Sequence, residues 1–209
     1  VAMNVTVPNV SPIPWNMPNR HSMDYGPSDW DRTHNFVVSY VWVLPTLAGM
    51  NPITRNIAGG WQLSGIASAS TGEPLTILAG KDQSQTALNT DRANPVQGVN
   101  PYGGNACGST ANCVNYLNPN AFALPALGTF GTLRKGTLRG PGYFNWDMGL
   151  LKNFHLPIKE MRLQFRAEYF NVLNRSNFAN PGTSVSSSFG QIRAADDPRI
   201  GQLALKLNF

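Results

Sequence analysis

Arg199-Ile-Gly-Gln-Leu-Ala-Leu-Lys-Leu-Asn-Phe209 alternates between two kinds of side chain. On an extended chain Leu203, Leu205, Leu207 and Phe209 share one side, and Gln202, Ala204, Lys206 and Asn208 share the other, because successive side chains of a strand face opposite ways. A soluble two-layer domain uses such a strand with its polar side in water. A transmembrane barrel uses it with the apolar side in lipid and the polar side toward the lumen. The rest of the sequence decides between the two.

Composition narrows the choice. Charged residues are 13% of the chain, about half the usual ~25%. Hydrophobic residues are only 42%, and Asn, Ser and Thr with 20 Gly and 16 Pro fill the difference, a mixture that suits strands joined by polar loops. No run approaches the ~18 apolar residues of a membrane helix. A membrane form of this chain is therefore a barrel, the other structure that satisfies its backbone in lipid. The net charge of +5 comes from basic residues scattered along the chain, which reads as a mixed solvated surface and not as a nucleic-acid site. The first residues carry no basic n-region or apolar h-region. The expectation is that an exported protein has lost its leader, or that the segment belongs to a longer chain.

Four more stretches alternate like the first. In Asn35–Leu44, Phe36, Val38, Tyr40, Trp42 and Leu44 oppose Asn35, Val37, Ser39, Val41 and Val43, and Pro45 stops the strand. In Trp61–Ser70, Trp61, Leu63, Ala67 and Ala69 oppose Gln62, Ser64, Ser68 and Ser70, with Ile66 the exception. Pro74–Ala79 reads as a strand or as the bent far end of that one. Phe144–Phe154 sets Phe144, Trp146, Met148 and Leu150 against Asn145, Asp147, Gly149 and Asn153, with Leu151 the exception. Met161–Tyr169 is the cleanest, with Leu163, Phe165, Ala167 and Tyr169 opposite Arg162, Gln164, Arg166 and Glu168.

The spacers alternate in length: short near 45–58, long over 80–141, short over 155–160, long over 171–198. Short and long spacers then lie at opposite ends of an antiparallel meander, as the periplasmic turns and extracellular loops of outer-membrane barrels do. Strands of about ten residues match the ~9–11 that cross a bilayer at a tilt, and Trp61, Phe144, Phe154, Tyr169 and Phe209 sit toward strand ends as an aromatic girdle does. The fold class expected is all-β: an antiparallel meander of about five to seven long strands forming part of a transmembrane β-barrel over 31–209, with 80–141 a long extracellular loop. Residues 1–30, rich in proline, read as irregular loop or as the end of a preceding extracellular loop. Cys107 and Cys113 fall in the 80–141 stretch and read as a loop disulfide, with two free thiols as the alternative.

Five blocks carry a resemblance. They are Asp31-Arg-Thr-His-Asn-Phe-Val-Val-Ser-Tyr40, Gly60-Trp-Gln-Leu-Ser-Gly65, Thr137-Leu-Arg-Gly-Pro-Gly-Tyr-Phe-Asn-Trp-Asp147, Leu163-Gln-Phe-Arg-Ala-Glu-Tyr-Phe-Asn-Val-Leu-Asn174 and Asp197–Phe209. In this order they resemble the C-terminal end of TonB-dependent receptor-like outer-membrane proteins, and among them the Oar-like subgroup with an N-terminal carboxypeptidase-regulatory-like domain. The resemblance implies a plugged barrel of about 22 strands, of which this chain supplies the last few, in the bacterial outer membrane. It implies as partners the membrane lipid, an unidentified solute, and a plug domain and TonB through a part that precedes this chain. It also gives Phe209 a role as the signal read by the barrel-assembly machinery.

Catalytic signatures are missing: there is no G-x-S-x-G, Walker A, G-x-G-x-x-G or H-E-x-x-H. Two cysteines and the scattered His21, His34 and His155 do not make a zinc site, and Asp196-Asp197 reads as a turn. No enzyme activity, metal or cofactor is expected. The residues placed in the lumen are Asp147, Arg162, Gln164, Arg166, Glu168 and Lys206. They meet a plug or a passing solute, or else they pair with one another and stabilise the wall. The alternative function is a secreted or surface β-sandwich that binds a polysaccharide or a protein.

Overall fold

Five alternating stretches become five strands of one antiparallel sheet, each beginning or ending within a residue or two of where its alternation does. The computed structural model describes residues 19–87, 89–109, 111–156 and 161–209. The strands are β1 (Asn35–Val43), β2 (Trp61–Ser70), β3 (Tyr143–His155), β4 (Arg162–Phe170) and β5 (Ile200–Asn208). Each pairs with the next in chain order, so the sheet is a meander.

Register makes the alternation of single strands into two faces of a sheet. Val41, Ser64, Gly149, Glu168 and Gln202 form one cross-strand row; Tyr40, Gly65, Met148, Tyr169 and Gly201 form the next, on the opposite face. A slip of one residue at any pair would set a polar strand face among apolar ones. Apolar residues on β5 are bare: Leu203 is 70% and Leu205 68% exposed. Among the described residues no second layer covers them, which separates this sheet from a sandwich.

The connections are less uniform than their composition. The span between β1 and β2 contains a helix, α2 (Pro52–Ala58), whose N-cap Asn51 accepts a hydrogen bond from the Thr54 amide at 2.8 Å. Part of the turn between β3 and β4, residues 157–160, lies outside the described residues. So do residues 1–18 of the stretch expected to be irregular; the remainder of that stretch includes a short helix, α1 (Arg20–Asp24).

A second compact unit is made from residues 19–33, Thr71–Pro141 and Phe178–Ala194. It is tied by three two-residue ladders: Pro74–Leu75 with Leu138–Arg139, Asn94–Pro95 with Phe122–Ala123, and Val114–Asn115 with Gln191–Ile192. Its core joins Leu75, Ile77, Ala93, Leu117, Ala121, Phe122, Leu133 and Phe189, with the Phe122 and Phe189 rings edge to face at 5.3 Å. Of the two readings of Pro74–Ala79, a strand or the bent far end of β2, the structure has a short strand, Pro74–Leu75, that belongs to this unit, where Ile77 and Ala79 are fully buried. Cys107 and Cys113 are joined in a disulfide with Cα atoms 5.8 Å apart.

Candidate functional site

The sheet's polar face is built from the even-numbered residues of β2, β4 and β5 and the odd-numbered residues of β3. Asp147, Arg162, Gln164, Arg166, Glu168 and Lys206 all stand on it. Two of the six are drawn into one cluster with Gln202. Arg166 and Glu168 pair at 3.6 Å along β4, and the Gln202 side chain donates to Glu168 from the neighbouring strand. With half of the Arg166 side chain in solvent, this ion pair contributes little by itself. Gln164 donates to Asn153 at 3.0 Å and faces Lys206 across the β4–β5 ladder.

Asp147 is differently employed. One of its oxygens accepts from the Asn145 amide group and from the Asn171 backbone N–H, both at 2.9 Å, so it fastens the end of β4 to β3. Beside it a trough of about 430 Å³ crosses the face, with Ser39, Ser64 and Gly149 among its lining and Asp147 and Glu168 on its walls. Small side chains leave the space; the two carboxylates give it its charge. The face is not uniformly polar: Val41 and Val43 of β1 lie on it and are largely exposed.

Asp196 and Asp197 line a further cavity of about 570 Å³ with Asp147, Asn171 and Asn177. No group of three or more His, Cys, Asp or Glu side chains among the described residues is placed to hold a metal ion.

Three residues that shape this region carry no signal that sequence reasoning used. Asn171 and Asn174 have positive φ, 51° and 50°. The buried Asn171 donates to the carbonyls of Arg175 and Asp197 and accepts from the Arg175 amide, closing the base of the β4–β5 connection. Lys152 is the third. It lies on the apolar face yet is buried, because its ammonium donates to the Gly59 carbonyl and lies 5.4 Å from the Phe154 ring centre and 5.9 Å from that of Trp61.

The apolar face carries aromatics in two groups. Phe36, Phe144 and Trp146 lie toward the long connections. Trp42, Trp61, Phe154 and Phe165 lie toward the short ones, with Trp61 edge to face with both Phe154 and Phe165. Between them run Val38, Leu63, Ala67, Leu150 and Ala167. An apolar band bounded by two aromatic girdles is the pattern of a barrel wall in a bilayer.

A family model described as an outer membrane beta barrel domain matches residues 4–202. The chain belongs to that family. No curated protein and no solved structure matches it. Family and sheet together make this an all-β protein of the bacterial outer membrane, and the five strands a portion of barrel wall.

In the second unit two ionisable groups are shifted. Arg92 is buried, with one guanidinium nitrogen 3.4 Å from Asp24. Burial lowers its pKa, an effect partly offset by Asp24 and Asp29. Tyr116 is raised above its ordinary 10.0 by burial first and by the neighbouring Tyr102 second. Its hydroxyl donates to the Arg139 carbonyl at 3.0 Å.

Proposed function

We propose that this barrel wall belongs to a TonB-dependent outer-membrane transporter, that its polar face lines the lumen, and that the protein moves a solute without catalysing a reaction. One observation carries the reading. The polar face is continuous across β2 to β5, while β1 and β5 each have one strand neighbour among the described residues. Open edges are not tolerated in lipid, so the wall needs further strands on both sides, and a wide barrel with a polar interior is the transporter form. The five sequence blocks resembling TonB-dependent receptors support the finer assignment. On this reading the partners are a plug domain, TonB and the assembly machinery, which would read Phe209, 99% exposed at the end of β5. The basic excess of Arg162, Arg166 and Lys206 over Asp147 and Glu168 suits an anionic solute.

The test compares medium depletion by wild-type cells, cells lacking the protein, and wild-type cells treated with a protonophore, by untargeted mass spectrometry. Transport predicts at least one anionic compound whose uptake needs both the protein and the energised inner membrane. Equal depletion in all three cultures would sink the reading. An Arg162→Ala/Arg166→Ala protein separates the two roles of the charges: unchanged uptake with lower stability assigns them to the wall and not to the solute.

A further inference from the structure

On the apolar face, between Leu63, Met148, Leu150 and Tyr169, the sheet is hollowed by the small Ala167. The resulting groove holds about 390 Å³ and is lined almost wholly by apolar groups; Val172 and Arg199 close the end nearest the long connections. Arg199 precedes Gly201 by two residues, so it falls on the same face as the groove. Its backbone N–H is fixed by Asn174 Oδ1 at 3.0 Å, and its guanidinium makes one long contact, 3.4 Å, to the Val172 carbonyl. Among the described residues no carboxylate lies within ion-pair distance of it. A guanidinium presents a planar fork of donors matched to a phosphate. Here it stands just beyond the first residue of β5, at the headgroup level of a membrane that the strand crosses.

We infer that this groove is a lipid site: one acyl chain lies along Leu63, Ala167 and Leu150, and Arg199 holds the phosphate of the same lipid. The occupant is a membrane lipid because the apolar face of an outer-membrane barrel meets acyl chains, and it is a phosphorylated one because, among the described residues lining the groove, the one charged side chain is a cation with donors to spare. The inference rests on this face meeting lipid and not on what the barrel transports.

The test uses the full-length protein, delipidated in detergent and titrated with bis-phosphorylated lipid A or with the same lipid after enzymatic removal of its phosphates, with bound lipid counted by native mass spectrometry. The expected result is one retained lipid, with about tenfold weaker retention of the dephosphorylated form, the loss of a contact worth roughly 1.4 kcal/mol. Arg199→Gln should reproduce that loss, Arg199→Lys should recover part of it, and Ala167→Leu should weaken both lipids alike by filling the groove. Equal retention of the two lipids by the unaltered protein overturns the inference without recourse to any variant. Competition by inorganic phosphate alone overturns the acyl-chain part, and Ala167→Leu binding as well as wild type does the same.

Discussion

Two glycines of the sheet have aromatic rings laid across them, and they differ in what the ring prevents. Gly201 pairs directly with Tyr169, and a Cβ at 201 would lie 2.7 Å from the tyrosine ring. Gly65 pairs with Tyr40, but a Cβ there would also meet the Asp147 carbonyl at 2.7 Å. Gly201→Ala should therefore cost about 1–3 kcal/mol by overpacking, much of it regained in Gly201→Ala/Tyr169→Ala, where the ring is gone. Gly65→Ala should stay destabilised when Tyr40→Ala is added, because backbone does not yield. Denaturant titration of the four variants in detergent measures both, and equal rescue at the two sites refutes the distinction. Tyr116 gives a pH dependence. Its pKa is raised on folding, so above 10.0 the unfolded state loses the proton first, and the stability present below that value falls as pH rises through the folded pKa. Hydrogen exchange of residues 114–117 should accelerate above about pH 10, and Tyr116→Phe should flatten that rise; an unchanged profile in the variant would assign the loss to other groups.

At the scale of elements, the strands were legible and the connections were not. An alternating strand states its own faces, so Leu163, Phe165, Ala167 and Tyr169 could be assigned without knowing a neighbour. β1 was the weak case, apolar on both sides, and only its pairing with β2 puts Val41 and Val43 on the polar face. The second unit has no period to read. Its core takes Leu75, Leu117, Leu133 and Phe189 from segments far apart in sequence, held by ladders two residues long. Only the spacing of Cys107 and Cys113 showed locally. Lys152 shows what single-strand reading omits: its parity puts it among Phe154 and Leu150, but its partner Gly59 belongs to the connection before β2. Lys152→Met keeps the apolar stem and removes the donor, leaving the Gly59 carbonyl unpaired at a cost of about 1–3 kcal/mol. Faster hydrogen exchange confined to residues 52–60 is the expected result; no change there means that α2 is held by other contacts, among them the Trp61 indole N–H to the Ile57 carbonyl at 3.0 Å.

For the whole molecule the decisive property is which face of the sheet meets hydrocarbon, and β5 allows it to be asked with two neighbouring residues. Leu203 stands in the apolar row with Leu150 and Ala167; Ala204 stands in the polar row with Leu151 and Arg166. One residue of sequence separates them and the thickness of the sheet divides their side chains. An arginine on the lipid side of a barrel near the bilayer midplane costs roughly 2–4 kcal/mol, while one toward the lumen meets water and polar groups. Leu203→Arg in the full-length protein should therefore lower the unfolding free energy in lipid vesicles by about that amount, and Ala204→Arg should change it far less, with only repulsion from its cross-strand neighbour Arg166 to weaken it. High salt should lower the cost of Ala204→Arg alone and so widen the contrast, since screening relieves like-charge repulsion but does not lower the cost of burying a cation in hydrocarbon. If the two costs came out equal, or in the reverse order, the apolar face would be the one turned away from lipid, and both the lumen assignment of Arg162, Arg166 and Lys206 and the lipid groove at Arg199 would fall with it.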